Sequence, residues 1–583
     1  VYHSPASHCE LPGYSVKSPN STEEYLQGGF WRSEKPFRIT RKLTTKDLNQ
    51  MCRQAAHHLD LFDDLGLPVG VGAFPSKDPF TAAVAAVGRQ CFGKTGNRKY
   101  VHDFRTISRF YARKIMTELN GKINSFGPAD RLTRIEFDLL LKSIPPAKRQ
   151  AVWEAMEGQL HGLPRSVWQK AGAFNKLECC LKSMAPTVKP RSIVSMPLRM
   201  YIEAIHCLTA QELIYSCPCV ERWMIKHCDA AAVFNKVREI YDAVHVSQDI
   251  SGFENALLPE MRLVEQIVLP GVLQMMGFAG EARTVRSFMG RTREIKTPYM
   301  RYDVNVRCSG DFWTSLGNGL INICLILTGD YVAKGRPALC AWWGKARNLK
   351  FITEGDDAIL PAALQNREVT RGLRMEFSLF SLADQPGGAD FLKVTYHPIF
   401  DEKGVYQGRL GNTLRWARGL TFVFGENLKM SKRLSLLRAK AWSVHHLQPG
   451  HPMTAALVYL IGKMTSGHTG FSGWEKHLSK WNFDFSKIDI SKPIPYIEPS
   501  SGLRTALATS RCPDLPRITV DDQLEFERQC LEWKGGKILF PECWKRYPEW
   551  PSMCAGRVYL EQRPLFSNWT SRVAERFFRR HWL

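Results

Sequence analysis

Disulfide frameworks, repeats and low-complexity tracts are all missing from this sequence of 583 residues. Its 16 cysteines are scattered rather than closely spaced, which excludes a small stapled scaffold. Cys179-Cys180 and Cys217-Pro218-Cys219 read as buried thiols of a reducing compartment. His206, Cys207, Cys217, Cys219, His227 and Cys228 are zinc-ligating residue types, yet their spacing fits no paired Cys-x-x-Cys pattern. Core thiols are therefore the favoured reading. No apolar run reaches the roughly 18 residues that a membrane span needs, and no secretory signal opens the chain. Acidic residues are the scarcer charge: 56 Asp and Glu stand against 79 Lys and Arg, a net charge of +23. Such a surface suits a polyanion, because it attracts phosphate backbones and releases their counterions. A basic face held to an acidic protein or a membrane is the alternative.

What is present is globular. Hydrophobic content of 44% and charged content of 23% are those of a folded chain. The length exceeds one core, so about two to four lobes are expected. Residues 1–40, rich in Ser, Pro, Gly and aromatics, read as an extended arm. Residues 44–171 are mostly helical in pattern, broken at Gly66–Pro79 and at Ser125-Phe126-Gly127-Pro128. Val244–Asp249 reads as a strand followed by a turn and an amphipathic helix. Asp311–Tyr331 is a long apolar segment with helical spacing. A helix is expected from about Arg367 and a strand around Phe391–Tyr396, with a mainly helical region after Asn412.

The run Phe351-Ile-Thr-Glu-Gly-Asp-Asp-Ala-Ile-Leu360 is the most informative stretch. Two apolar runs flank Glu354-Gly355-Asp356-Asp357, the pattern of two buried strands and a tight turn. Paired aspartates at such a turn repel one another and lose solvation unless a cation is bound there. Asp249 ends its own strand, with Glu254 five positions later. If the two strands are neighbours, Asp249 and Asp356 can share magnesium, which takes oxygen ligands. Two such ions would activate an attacking hydroxyl and stabilise a leaving pyrophosphate.

Ser309-Gly310-Asp-Phe-Trp-Thr314-Ser-Leu-Gly-Asn318 is the second element. Ser309-Gly310 makes a loop whose backbone can approach a nucleic-acid strand. Thr314 and Asn318 are four apart and can hydrogen-bond toward one point. With Glu254 facing them, that point suits a ribose 2′-hydroxyl. Upstream, Lys176, Lys182, Lys189, Arg191 and Arg199 are interleaved with apolar residues. Arg191 can fork onto a phosphate, which favours triphosphate binding.

In this order, these segments resemble the motifs of viral RNA-dependent RNA polymerases, particularly the tombusvirus-like positive-strand group. Asp249…Glu254 resembles motif A, Ser309…Asn318 motif B, Gly-Asp-Asp motif C and Lys176…Arg191 motif F, with Phe391-Leu392-Lys393 in the place of motif E. The resemblance spans about residues 174–400. It implies an α+β right-hand fold of fingers, palm and thumb, with an antiparallel palm sheet and helical fingers and thumb. Residues 1–150 would be an extension and part of the fingers, 151–240 the basic fingers, 241–262 palm, 263–300 a fingers insertion, 301–400 palm and 401–583 thumb and tail. Asp249, Asp356 and Asp357 would be catalytic metal ligands for Mg²⁺, with Mn²⁺ able to substitute. Lys176, Lys182, Arg191, Glu254, Ser309, Gly310, Thr314 and Asn318 would bind the nucleotide.

The implied partners are RNA template, nascent RNA, ribonucleoside triphosphates and other viral replicase proteins. The implied place is host cytoplasm at a membrane-associated replication complex. Production by readthrough or cleavage of a larger replicase would suit the start at Val1. Three positions depart from the group. Glu254 stands where Asp is usual, and Arg199 is the nearest substitute for an arginine expected soon after Arg191. No lysine lies between Asp357 and Lys393 as the motif D general acid, leaving Arg374.

A competing motif, Gly88-Arg-Gln-Cys-Phe-Gly93-Lys94-Thr95, matches the phosphate loop of an NTPase or RNA helicase. Its context is poor: an alanine-rich segment precedes it, and Gly96-Asn97 would break the phosphate-binding helix. A turn exposing Lys94, Arg98 and Lys99 is more economical. A non-catalytic basic RNA-binding protein is the third reading. The tail tryptophans Trp533, Trp544, Trp550, Trp569 and Trp582 suit thumb packing better than a stacking platform for the first nucleotide.

Overall fold

The computed structural model describes residues 37–39, 72–73, 98–125, 173–175, 180–181, 192–194, 196–197, 200, 203–241, 244–250, 253–290, 293–296, 300–304, 307–308, 310–375, 383–384, 390–392, 394–411, 429–469, 489–510 and 517–534. The chain is α+β, with small antiparallel sheets among helices.

Its strands are β1 (Phe37–Ile39), β2 (Gly72–Ala73), β3 (Ala173–Asn175), β4 (Cys180–Leu181), β5 (Ser192–Val194), β6 (His245–Gln248), β7 (Arg293–Lys296), β8 (Met300–Val304), β9 (Ile352–Glu354), β10 (Asp357–Pro361), β11 (Ala383–Asp384), β12 (Asp390–Phe391), β13 (Val394–Tyr396) and β14 (Arg409–Gly411). The central sheet has the order β11-β6-β10-β9, and β1-β8-β7, β12-β13-β14, β2-β4 and β3-β5 form the others. The helices used below are α1 (Val101–Ser125), α2 (Cys207–Tyr215), α3 (Pro218–Glu221), α4 (Ala230–Tyr241), α5 (Phe253–Ala256), α6 (Leu263–Met275), α7 (Ala279–Gly290), α8 (Thr314–Ala333), α9 (Leu339–Ala346), α10 (Arg367–Gly372), α11 (Met430–Leu447), α12 (Thr454–Met464), α13 (Ser501–Thr509) and α14 (Val520–Leu531).

Alternation along β10 divides the interior into two cores. Ala358 and Leu360 join the large core with Leu316, Leu320 and Ile323 of α8. Ile359, pointing the other way, joins Val233, Phe234 and Val237 of α4 together with Val394 and Tyr396 of β13. A strand covered on both faces reads as a continuous apolar run, which is why Ala-Ile-Leu is uninterrupted here. Trp223 closes the large core beside the hairpin, stacked on Phe351 at 4.8 Å. The backbone N–H of Thr353 donates to its carbonyl at 2.6 Å.

Helix α8 bears on the expectation that no segment spans a membrane. Its 20 residues, with a window of mean hydropathy 1.3, are long and apolar enough to cross a membrane by length and composition. Yet 89% of that window is buried inside the protein. A helix apolar on all sides is one surrounded on all sides, and here α1, α6, α9 and α10 pack around it.

Two further expectations change in detail. The strand around Phe391–Tyr396 is two short strands, β12 and β13, folded back on each other through Leu392 at φ +55°. The helix from Arg367 has only 6 residues, opened by the Asn366 side chain, which accepts from Val369 N–H at 3.0 Å. Beyond residue 412, α11 to α14 form a helical cluster held partly by the buried Arg504–Glu527 pair at 2.7 Å.

Candidate active site

Strand pairing decides which carboxylates meet. Gln248 of β6 pairs with Ala358 of β10 in antiparallel register. One step further along the same ladder sets Asp249 opposite Asp357. The β9–β10 hairpin pairs Glu354 with Asp357, so Gly355 and Asp356 are its two-residue loop. Gly355 has φ +61° and Asp356 has no positive φ, the pattern of a type II′ turn with glycine first. The turn expected from Glu354-Gly355-Asp356-Asp357 is therefore the observed one. Asp249, Asp356 and Asp357 lie at one end of two adjacent strands, each half-buried.

Helix α8 braces this end of the sheet. Asn322, fully buried, accepts from Gln248 Nε2 at 3.0 Å through its Oδ1. Its Nδ2 donates to the backbone carbonyls of Asp356 at 3.1 Å and Asp357 at 3.4 Å. One side chain thus ties the strand bearing Asp249 to the turn bearing the other two aspartates. Sequence reasoning passed over it. Its signal was a lone amide within an apolar helix, one turn beyond Asn318 and on the same face.

Ser315 is another brace, donating to Glu354 Oε1 at 2.9 Å. Tyr215 hydrogen-bonds Ser315, and burial pushes its phenol above the ordinary range. Gly317 and Gly319 are close-approach positions. A Cβ on Gly317 would enter the space of Glu265 and Arg307, whose side chains form a buried ion pair. A Cβ on Gly319 would meet Met224, beside Gly355.

The expected nucleotide-contacting residues divide three ways. Asn318 is only 3% exposed, and its Oδ1 is buried without a hydrogen-bond partner among the described residues. An orphaned amide oxygen of that kind costs about 1–3 kcal/mol unless a ligand or water satisfies it. Thr314 does not share a target with it. Its hydroxyl donates toward the carbonyls of Cys308 and Asp311, both at 2.9 Å, in the turn just ahead of α8. A threonine in a first helical turn finds those carbonyls locally. Gly310 lies just ahead of that turn, half-buried, and Glu254 lies on the short α5 that follows Asp249. Lys176, Lys182, Lys189, Arg191, Arg199, Ser309 and Lys393 lie outside the described residues, as do Gly88–Thr95 and tail tryptophans 544, 550, 569 and 582. Arg374 sits at φ +67° beyond α10, its guanidinium lowered by burial and by nearby Arg98.

Asp249, Asp356 and Asp357 place carboxylate oxygens, the ligand type that magnesium takes, at one end of the sheet. Glu354 adds a fourth carboxylate whose Oε2 is buried without a hydrogen-bond partner among the described residues. No protein-family model matches the chain, and the search of curated proteins finds no match.

Proposed function

We propose that this chain is a template-directed RNA polymerase that copies a viral RNA genome by nucleotidyl transfer from ribonucleoside triphosphates to an RNA 3′-hydroxyl. The observation that carries the proposal is the β6–β10 register, which aligns Asp249 with the Gly-Asp-Asp turn. Motif order, an Asn318 Oδ1 with no partner among the described residues and a net charge of +23 support it independently. In this reading the central sheet and α8 belong to the palm of a right hand, and α11 to α14 to its thumb.

Asp249 and Asp356 would hold magnesium with support from Asp357, and the metal would supply positive charge to the attacking oxygen and the leaving pyrophosphate. Mn²⁺ can substitute. Asn318 and Glu254 receive the ribose 2′-hydroxyl, which would satisfy the orphaned Asn318 oxygen. Asn322 keeps the two halves of the carboxylate set in register. The basic residues Lys176, Lys182 and Arg191 neutralise the incoming triphosphate. RNA template and product occupy the basic surface, and a membrane-associated replication complex in host cytoplasm is the corresponding setting.

Primer extension with all four ribonucleotides, with and without Mg²⁺ or Mn²⁺, tests the proposal. Asp356→Asn is expected to abolish incorporation while RNA binding and folding persist. Synthesis near the wild-type rate in that variant would overturn it. Lys94→Ala is expected to polymerise normally, whereas an NTPase built on Gly88–Thr95 would lose nucleotide hydrolysis.

A further inference from the structure

A second set of ligand-type side chains lies apart from the carboxylates. Among the described residues, Glu118, Cys217 and Cys219 bring one ligand atom each within 4.8 Å of one another. The two thiol sulfurs are 3.4 Å apart, and Cys217 Sγ is 3.3 Å from Glu118 Oε2. A tetrahedral zinc with bonds of about 2.3 Å to sulfur and about 2.0–2.2 Å to oxygen has ligand–ligand edges of roughly 3.5–3.8 Å. The observed edges need to open by only a few tenths of an ångström.

Local sequence creates half of this arrangement. Cys217 is extended at φ −71°, ψ 126°, and Pro218 starts α3 immediately after it. Proline's fixed φ holds the turn, so residues 217 and 219 present neighbouring thiols. Tertiary packing supplies the rest. Glu118 comes from α1, 99 positions earlier than Cys217. The corner is already docked on α1: Tyr111 Oη donates to the Cys219 carbonyl at 3.0 Å, and Lys122 Nζ donates to the Ser216 carbonyl at 2.7 Å. Cys217 and Cys219 are buried while Glu118 is exposed, which leaves an open side for a fourth ligand from solvent.

The two histidines from the same stretch are committed elsewhere. His206 pairs with Glu281 at 2.5 Å and stacks on Phe278, and His227 pairs with Glu212 at 2.8 Å.

We propose that Glu118, Cys217 and Cys219 form a zinc site that clips α1 to the α2–α3 corner. Two thiolates and one carboxylate make a soft, triply negative set, which selects zinc over magnesium and keeps this site distinct from the catalytic one. Binding displaces the two thiol protons and the Cys219 N–H contact to Glu118 Oε2, seen at 3.0 Å, shifts to the other carboxylate oxygen or to solvent. Because α1 packs directly on α8, the clip would stiffen the support of the catalytic sheet.

The full chain, kept reduced, is equilibrated with zinc, freed of excess metal and analysed for bound metal, then repeated with cobalt. Expected are one zinc per chain, a thiolate-to-cobalt charge-transfer band, and a fall in unfolding temperature on chelation. Cys219→Ser should lose the band. Glu118→Gln, altered at an exposed carboxylate and so expected to fold, should bind zinc at least about tenfold more weakly. Absence of retained zinc in the wild type, or retention unchanged in both variants, overturns the proposal. So do Cys217 and Cys219 thiols that react equally fast with and without zinc.

Discussion

Asn322 donates to the Asp356 carbonyl at 3.1 Å while accepting from Gln248 at 3.0 Å, so a single buried amide joins the residue preceding Asp249 to the Gly-Asp-Asp turn. Removing it leaves a buried amide donor and two turn carbonyls without this partner, at about 1–3 kcal/mol. Asn322→Leu is expected to lower kcat about tenfold or more and to raise the Mg²⁺ concentration giving half-maximal synthesis, with little change in KM for nucleotide. Primer extension across a magnesium titration measures this. A lower unfolding temperature with an unchanged magnesium requirement would reduce Asn322 to a purely structural role.

Asn318, one turn earlier, behaves oppositely. Its Oδ1 has no partner among the described residues. Asn318→Ala should leave the unfolding temperature nearly unchanged. The preference for ribonucleotides over deoxyribonucleotides, as a ratio of kcat/KM, should fall about tenfold, the worth of one hydrogen bond. An unaltered ratio would remove Asn318 from sugar recognition.

Gly317 answers to packing. Any side chain there intrudes on the buried Glu265–Arg307 pair, which Arg262 completes at 2.8 Å. Gly317→Ala is expected to cost about 1–3 kcal/mol. Chemical denaturation of the purified variant checks it, and an unchanged midpoint would contradict the crowding argument.

Acid sensitivity should come in part from His397. Burial lowers its imidazole from the ordinary 6.5 to about 4. Between those values the unfolded chain binds a proton that the folded chain refuses, so stability falls as pH drops from about 6.5 toward 4 and is unaffected above that window. His451 and His445, also lowered chiefly by burial, act in the same direction. Unfolding temperature followed from pH 7 downward should decline less steeply in His397→Gln than in the wild type; parallel curves would refute the assignment.

Local chemistry made much of this protein legible from its sequence. Gly355 between two apolar runs dictates a tight turn, because only glycine reaches φ +61° without strain. A strand within Val244–Asp249 and a long helix within about Asp311–Tyr331 follow from apolar periodicity, and the charge of +23 from counting. Tertiary structure decided the remainder, because each such feature depends on segments far apart in the chain. The β6–β10 register aligns Asp249 with Asp357 across more than a hundred residues, and no local preference encodes it. Thr314 turns to its own helix start, while Asn322 in apolar surroundings becomes the brace. Helix α8 has the composition of a membrane span, yet its partners bury it in protein. Cys217 and Cys219 are neighbours by sequence, but only the packing of α1 brings Glu118 to them. Sequence sets which groups can turn, pair or carry charge locally, and long-range packing determines which of those groups share one place.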